Sequence, residues 1–340
     1  MDPLSFFSQV RVFVVTGKGG VGKTTVSGVM ANLASREGLR ALVVELGVPG
    51  ARRQPEVAHL ARLFGREHGL QYEQVVLRSR GDDGGEVQAR ALRPDTALVE
   101  YLHLHGMRRL SRRLVSTGAL DVVATAVPGM PDILVLGKIK QMERAAAAGS
   151  AGAADVIVLD APAAGHAVRF LQSPLGLLEA AGGGPVRAQA EEVVEMLSDP
   201  RRCQVLLVTT PEETPVGETV ETAALLEDRI GVKLCGVVVN ARFPVLDLPA
   251  GTAPEDLALL AEGAGARLSR PESESLAAAA SLRLQRQASQ AAQVARLKEE
   301  LPLPQLELPF CFSAELGLDQ LEALTDALAT SVQKWVPVSS

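Results

Sequence analysis

The segment 17–25 constrains the fold more than any other part of this chain. It has the sequence Gly-Lys-Gly-Gly-Val-Gly-Lys-Thr-Thr, follows the apolar run 12–15 and precedes a helical pattern of small and apolar residues. A strand, a glycine-rich turn and a helix N-terminus in this order are typical of a phosphate-binding loop, whose backbone N–H groups surround a polyphosphate. In such a loop Lys23 would contact the β- and γ-phosphates, and the Thr24 hydroxyl would bind Mg²⁺.

The same glycines also fit a second type of site, the dinucleotide-binding turn. The pattern Gly-x-Gly-x-x-Gly is satisfied by Gly17, Gly19 and Gly22. Glu45 ends the next strand-like run, where a dinucleotide fold places its ribose-binding acid. Lys23 and Thr24 favour the phosphate-binding loop, because a dinucleotide site has no use for an ammonium and a Mg²⁺-binding hydroxyl there. We therefore predict that a nucleoside triphosphate is bound by Gly17, Gly19, Gly20, Val21, Gly22, Lys23, Thr24 and Thr25.

The rest of the chain alternates apolar runs with helix-length segments, which predicts an α/β fold. The strand-like runs cover residues 10–15, 40–45, 156–160, 205–209, 234–240 and 305–308. Such alternation is typical of a doubly wound, mostly parallel sheet with helices on both faces. A long helix rich in Ala, Leu, Gln and Arg is predicted over residues 271–301, and its alternating charges indicate a surface helix.

The alternation lapses after residue 64. Two short polar strand candidates come first, at 71–78 and 86–93, and helical patterns follow them. We interpret residues 65–149 as a mainly helical insertion, which could serve as a client or partner subdomain. The nucleotide-binding domain would then consist of residues 1–64 and 150–340.

Composition and charge argue against several classes of protein. A net charge of −6 and an isoelectric point near 5.5 disfavour a nucleic-acid partner, since phosphate-backbone binding needs a basic surface. No secretion signal and no run of about 18 apolar residues occur, so we expect no membrane span. Cys203, Cys235 and Cys311 lie far apart and beside strand-like apolar runs, which indicates buried, reduced side chains. We therefore predict a cytoplasmic protein.

Lys18 is unusual, because an ordinary phosphate-binding loop needs no second lysine one residue after its first glycine. A cation at this position cannot easily curl back on its own nucleotide. Here the chain resembles the deviant phosphate-loop ATPases, which include MinD, ParA, the nitrogenase iron protein and the arsenite-pump ATPase. In that group the matching lysine reaches across a two-fold interface to the partner's nucleotide. The resemblance implies a dimer with nucleotide sandwiched at its interface.

Asp160 ends the apolar run 156–160, which in such folds delivers a carboxylate close to the metal, usually through bound water. We therefore predict that Thr24 and Asp160 hold Mg²⁺. The segment 160–171, Asp-Ala-Pro-Ala-Ala-Gly-His-Ala-Val-Arg-Phe-Leu, resembles the second switch of the arsenite-pump and tail-anchored-protein-targeting ATPases. That resemblance implies a γ-phosphate-sensing switch at Gly165 and His166.

Two further stretches look like the same family, Thr-Thr-Pro-Glu-Glu at 209–213 and Val-Val-Val-Asn at 237–240. The family implies that Asn240 recognises adenine and that Pro309 and Phe310 form a wall beside the base. The chain is similar to bacterial members that occur as paired, non-identical subunits. The expected partner is therefore a second copy or a paralogous ATPase subunit, and a protein client would bind the helical insertion.

The family pattern fails at the first switch. Relatives usually carry Asp-Pro-Ala-His there, with an aspartate that positions the attacking water, whereas this chain has Glu-Leu-Gly-Val-Pro-Gly from Glu45 onward. Aligning the strands places Gly47 at the aspartate position, and a glycine can neither orient nor deprotonate water. Glu45 lies two residues back, about 6.6 Å away by strand rise, so it could substitute only if the backbone bends.

Three functions therefore stay open from the sequence. The first is an ATPase that uses ATP/ADP and Mg²⁺, with Lys18, Lys23 and Asp160 as catalytic residues and Glu45 as a further candidate. The second is a nucleotide-binding structural subunit that hydrolyses ATP weakly and supports an active partner. The third, a positioning ATPase of the MinD and ParA type, is disfavoured because residues 331–340 lack a basic amphipathic anchor.

Overall fold

A sheet of eight strands organises the part of the chain that the structure describes. The computed structural model describes residues 1–47, 59–67, 69–80, 84–104, 106–117, 129–180 and 182–335. The strands are β1 (Val12–Gly17), β2 (Arg40–Leu46), β3 (Val75–Arg78), β4 (Glu86–Leu92), β5 (Val156–Ala163), β6 (Cys203–Thr209), β7 (Leu234–Arg242) and β8 (Gln305–Pro309). Their order is β3-β4-β2-β5-β1-β6-β7-β8, and β3 alone runs antiparallel to its neighbour. The predicted mostly parallel sheet is thus confirmed.

Helices cover both faces of this sheet. They are α1 (Pro3–Ser8), α2 (Lys23–Arg36), α3 (His59–Leu63), α4 (Pro94–Leu104), α5 (Arg108–Thr117), α6 (Met130–Ala147), α7 (Ala164–Ala180), α8 (Pro185–Ser198), α9 (Glu213–Ile230), α10 (Pro254–Gly263), α11 (Arg270–Glu300) and α12 (Leu318–Gln333). One core packs α1, α2, α3 and α12 against the sheet, and a second core packs α6, α7, α8 and α9 against the other face. This arrangement is the predicted doubly wound fold.

The central strand β1 is buried at every position, with β5 on one side and β6 on the other. Parallel strands covered on both faces have continuous apolar sequences rather than alternating ones. Val12 and Val14 belong to one core, while Phe13 and Val15 belong to the other. The carboxyl end of β1, where the glycine-rich segment begins, is therefore held rigidly between two neighbouring strands.

Helix α2 follows β1 and ends at Arg36. Residues along its length pack in the core, including Val26 and Leu33. Its last turn closes at Gly38, whose φ of 82° lies in the left-handed region that favours glycine. The N–H of Gly38 donates to the carbonyl of Ser35 at 3.1 Å, which satisfies one of the free carbonyls at the helix end.

The segment 65–149 contributes to the sheet before its helices begin. β4 pairs in parallel with β2 from Glu86 to Leu92, and β3 forms the antiparallel edge. α4 then packs on α6 through a small apolar cluster that includes Leu98, Leu102 and Leu134. The two short strands therefore extend the sheet of the nucleotide-binding domain, and the helices α4 and α5 lie outside it. The division into two domains stays a prediction.

The predicted long helix corresponds to α11, and it lies on the surface. Ser273 and Leu297 are buried within it, and most of its other residues are exposed or half-buried. Its inner side is fixed by polar contacts, since the Gln290 side-chain oxygen accepts from the N–H of Phe243 at 2.9 Å. Among the described residues, no helix is both long enough and apolar enough to cross a membrane.

Candidate functional site

The glycine-rich loop lies at the carboxyl edge of the sheet, where two positions admit no side chain. A Cβ on Gly17 would lie 2.0 Å from the carbonyl oxygen of Val208 in the neighbouring strand β6. Gly22 has a φ of 90°, and a Cβ there would lie 2.3 Å from Nδ2 of Asn240. Both glycines are therefore required by the backbone path and the close packing of the loop.

Lys23 opens helix α2 and lies over the loop. Its Nζ donates a hydrogen bond to the carbonyl oxygen of Lys18 at 3.0 Å. Burial lowers the pKa of the Lys23 ammonium, and the negative charge of Asp160 acts in the opposite direction. The ammonium is thus half-buried beside backbone N–H groups at a helix N-terminus, an arrangement that attracts a phosphate anion.

Thr24 and Asp160, the two predicted Mg²⁺ ligands, lie in contact. The Thr24 hydroxyl donates to Oδ2 of Asp160 at 2.6 Å, and the Ser27 hydroxyl lies 3.4 Å from Oδ1. Burial raises the pKa of Asp160, while these hydrogen bonds and Lys23 lower it. Sequence reasoning missed Ser27, although its position one turn after Thr24 on the same helix face could have indicated it.

Glu45 lies beside Asp160 on the adjacent strand. The two residues are register partners in the β2–β5 pair, so their side chains leave the same face of the sheet. Burial, together with the charge of Asp160, raises the pKa of Glu45 to about 7, although a hydrogen bond from the backbone of Leu60 acts in the opposite direction. Two neighbouring carboxylates at this edge disfavour each other's ionisation.

This donor set fits Mg²⁺. The ion prefers oxygen ligands and is usually held by one or two carboxylates together with substrate phosphates. The Thr24 hydroxyl and the Asp160 carboxylate meet that need, and a cation would offset the raised pKa of both Asp160 and Glu45. Across the described part of the chain, no group of three or more His, Cys, Asp or Glu side chains could form a metal site from protein ligands alone.

Replacing Glu45 by glutamine is expected to change how stability depends on pH. The folded-state pKa of about 7 lies above the ordinary value of 4.5, so the folded protein holds this proton more tightly. The free energy of unfolding should therefore fall as pH rises from about 4.5 to 7 and level off above that range. Since each pKa unit corresponds to about 1.4 kcal/mol, we expect Glu45→Gln to be more stable than wild type by about 3 kcal/mol in Mg²⁺-free buffer at pH 8.

Urea unfolding at pH 5 and pH 8 measures this difference. Glu221→Gln, which removes an exposed charge on α9, is the matched control and should follow wild type at both pH values. If Glu45→Gln and wild type lost the same free energy between pH 5 and pH 8, the raised pKa of Glu45 would be wrong.

Gly47 is packed against the strand that lies beside β2. Its N–H donates to the carbonyl of Leu92 at 2.8 Å, which extends the pairing of β2 with β4. A Cβ on Gly47 would lie 2.6 Å from Cγ of Arg93, whose guanidinium binds the Asp95 carboxylate at 2.9 Å. The stem of Arg93 therefore occupies the space that a side chain at position 47 would need.

The other predicted residues occupy the same edge of the sheet. Lys18 forms an ion pair with Glu218 on α9, with 2.5 Å between Nζ and Oε1. The Asn240 amide donates to the carbonyl of Val21 at 2.8 Å, so it supports the loop, and its role toward adenine stays a prediction. His166 is exposed in the first turn of α7, directly after β5, together with Gly165.

Sequence reasoning missed a link between the loop and the second switch. The Thr16 hydroxyl donates to the carbonyl of Pro162 at 2.9 Å, just before α7 begins. The two residues are far apart in sequence, and only the pairing of β1 with β5 brings them together. A local signal for this contact does not exist, because a threonine in a buried strand is common.

Phe310, predicted as a base-contacting residue, belongs to a larger aromatic group. It follows Pro309 at the end of β8 and packs edge-on against Phe243 and Phe312. The rings of Phe243 and Phe312 are nearly parallel, at 11° and 6.1 Å between centroids, and Arg283 lies 4.0 Å from the Phe243 centroid. Arg283 and Phe312 were missed, since α11 and the segment after β8 meet only in the tertiary structure.

Comparison with known proteins identifies the family. The model of the CobQ/CobB/MinD/ParA nucleotide-binding domain matches residues 12–339, nearly the whole chain. The chain belongs to the CobQ/CobB/MinD/ParA family. It is an ATPase-like P-loop protein. The loop 17–25 is the segment whose sequence predicts nucleotide binding.

Several proteins with similar sequences are named as ATPases. ATPase BagA of Mycobacterium tuberculosis is 32% identical over 339 residues, which cover 96% of this chain and 94% of that protein. An arsenical pump-driving ATPase of Escherichia coli is 25% identical over 244 residues, which cover 69% of this chain and 35% of the pump ATPase. A protein of the same name from Acidiphilium multivorum is 25% identical over 248 residues, covering 71% and 36%.

Proposed function

We propose that this chain binds Mg²⁺–ATP in the loop 17–25 and hydrolyses it as a nucleotide-sandwich dimer. The observation that carries the proposal is the contact between Thr24 and Asp160, 2.6 Å apart, beside the half-buried ammonium of Lys23. A hydroxyl, a carboxylate and an ammonium in this grouping supply what phosphoryl transfer requires, namely charge stabilisation and positioning. The names of the related ATPases support hydrolysis as the reaction.

In the proposed mechanism the chain's own residues act mainly by positioning charge. Backbone N–H groups of the loop and the Lys23 ammonium hold the β- and γ-phosphate oxygens, and they stabilise the charge that moves toward the leaving oxygen. Thr24 and Asp160 would hold Mg²⁺, with Glu45 beside them, and the ion would neutralise phosphate charge. Without the ion the pKa of Glu45 is raised to about 7, and bound Mg²⁺ would lower it again, so Glu45 would lie beside the ion as a carboxylate that can accept a proton from water.

The aromatic group at the end of β7 and β8 supports a site for the adenine base. Phe243 comes three residues after Asn240, directly after the end of β7 at Arg242. Asn240 itself contacts the loop through Val21. Phe310 and Phe312 are exposed, and the ring of Phe312 is nearly parallel to that of the half-buried Phe243, so the group offers flat apolar surface on which a purine can stack. We therefore extend the predicted base wall of Pro309 and Phe310 to Phe243 and Phe312.

We also propose that opening and closing of the dimer is coupled to the binding of a client. An apolar cavity of about 160 Å³ lies between α4, α6 and α8, lined by residues that include Leu98, Met130, Leu134 and Val186. An apolar side chain of a client would fit a cavity of this size and composition. Opening and closing of the dimer would then be linked to this region through α6, which also packs on the sheet.

One observation favours the second candidate, a subunit that binds ATP but hydrolyses it weakly. The stem of Arg93 fills the space beside Gly47, the position where the family resemblance predicts a water-positioning aspartate, so an aspartate cannot be accommodated there without a shift. Phosphate release and ATP binding by the purified chain distinguish the two candidates. Steady turnover that is lost in Asp160→Asn would support the ATPase.

Tight ATP binding without turnover would support the weak subunit, and a double variant then tests the cause. We expect Gly47→Asp combined with Arg93→Ala to raise turnover at least about 100-fold, since a positioned general base contributes that much. Arg93→Ala alone is the control, because it opens the space without adding a carboxylate. Equal turnover in the single and double variants would show that the missing aspartate is not the limiting group.

A further inference from the structure

An ion pair joins the phosphate-binding loop to helix α9. Nζ of Lys18 lies 2.5 Å from Oε1 of Glu218, and the two side chains are 32% and 42% exposed. Glu218 lies in the second turn of α9, where its backbone carbonyl accepts from the Thr222 hydroxyl at 2.6 Å. The carboxylate is therefore mounted on a hydrogen-bonded helix, whereas Lys18 is in the loop.

The ammonium groups of Lys18 and Lys23 contact different parts of the protein, although both residues belong to the loop. The Lys23 ammonium donates to the carbonyl oxygen of Lys18 and so lies over the loop itself. The Lys18 ammonium instead meets α9 through Glu218. Among the described residues, Lys18 is the one basic side chain found in an ion pair with Glu218. The carboxylate thus has a single cationic partner in this part of the chain.

The Lys18 ammonium has three N–H donors and one positive charge, and in this structure its charge is paired with the Glu218 carboxylate. A polyphosphate offers more negative charge and more acceptor oxygens, so it competes effectively for the same group. The lysine stem is flexible enough to exchange one partner for the other without a movement of the backbone. Because both side chains are partly exposed, opening the ion pair leaves neither charge buried and unpaired. The exchange therefore has no large desolvation cost.

We propose that Glu218 is a positioning residue that retains Lys18 on its own subunit, and that this ion pair opens when Lys18 contacts the nucleotide of a second copy. This inference rests on the proposed sandwich dimer. Because a two-fold dimer presents the same surface twice, two such pairs open for each dimer that forms. Glu218 therefore opposes nucleotide-dependent dimerisation and sets how much nucleotide-bound protein is needed for it.

The size of the effect follows from the exposure of the pair. An exposed ion pair changes an equilibrium by a factor of about three, so two pairs change the dimer dissociation constant by about tenfold. Glu218→Gln keeps the shape and the hydrogen-bonding oxygen of the side chain but removes its charge. We expect this variant to dimerise about tenfold more tightly than wild type with Mg²⁺ and a non-hydrolysable ATP analogue.

Analytical ultracentrifugation of the full chain measures the dissociation constants of wild type, Glu218→Gln, Lys18→Ala and the double variant. Glu221→Gln, one turn along α9 and exposed, carries the same charge change and should match wild type. In the Lys18→Ala background, Glu218→Gln should have no effect, because the cation that it retains is gone. A merely structural role of Glu218 would give the same change in both backgrounds.

Each outcome separates this inference from the proposed function. If Lys18→Ala weakens dimerisation but Glu218→Gln equals wild type, the inference is overturned and the dimer stands. A tenfold tightening that persists in the Lys18→Ala background also overturns it. If Lys18→Ala dimerises as wild type does, or if no dimer forms with the analogue, the sandwich dimer itself fails and the inference fails with it.

Discussion

Replacing Lys23 by alanine is expected to weaken ATP binding at least about 100-fold, or roughly 3 kcal/mol, and to remove turnover. The reason is that a charge-assisted hydrogen bond to phosphate oxygens would be lost at a half-buried helix N-terminus. Stability without nucleotide should change little, because burial already penalises the Lys23 ammonium and offsets its hydrogen bond to the Lys18 carbonyl. Titration with a fluorescent ATP analogue measures the affinity, and phosphate release measures turnover.

Lys298→Ala is the control for this variant, since Lys298 is exposed near the end of α11. It removes the same charge and should leave both quantities unchanged. Unfolding in urea checks that Lys23→Ala keeps the fold. An affinity within threefold of wild type, in a variant that is folded, would mean that the loop does not hold the phosphates.

Replacing Gly17 by alanine is expected to lower the free energy of unfolding by about 3 kcal/mol, at the upper end of the effects of overpacking. The added Cβ would lie 2.0 Å from the carbonyl oxygen of Val208, which is backbone and cannot rotate away. Since Gly17 pairs with Val208 in register, β1 and β6 would have to separate at the edge that supports the loop. ATP binding should be lost together with this stability.

Gly19→Ala provides a matched control two residues away. A Cβ on Gly19 meets no atom within 4 Å, and its φ is not positive. We expect its free energy of unfolding to stay within about 0.5 kcal/mol of wild type. Urea unfolding curves of the three proteins compare these effects. Equal midpoints for Gly17→Ala and wild type would mean that β1 and β6 tolerate a side chain at their contact.

The strands around the site could be predicted because each can be recognised from its own sequence, without knowledge of its neighbours. A strand buried on both faces must be apolar at successive positions, so the runs 156–160 and 234–240 appear directly in the sequence. The structure extends them to Ala163 and Arg242, where polar residues and prolines end the apolar pattern but pairing with β1 and β8 continues. Boundaries of this kind depend on the neighbouring strand, which a single run does not specify.

The edge strands and the partners of the site residues were less accessible to sequence reasoning. β3 and β4 have polar residues because one side of the sheet is less covered at its edge, so their sequences resemble those of loops. Their membership of the main sheet follows from the pairing of β4 with β2, which no local pattern encodes. The division of the chain at residues 65–149 therefore stays a prediction.

The loop could be recognised from the sequence alone. The spacing of Gly17, Gly22, Lys23 and Thr24 predicts a phosphate-binding site without any knowledge of the fold. The same holds for the alternation that predicts a doubly wound sheet. The tertiary structure decided which distant side chains meet these residues. Asp160 contacts Thr24, and Glu218 holds Lys18, although more than a hundred residues separate each pair. Such contacts arise because parallel strands bring their carboxyl ends to one edge, and the order of the strands is a property of the whole fold.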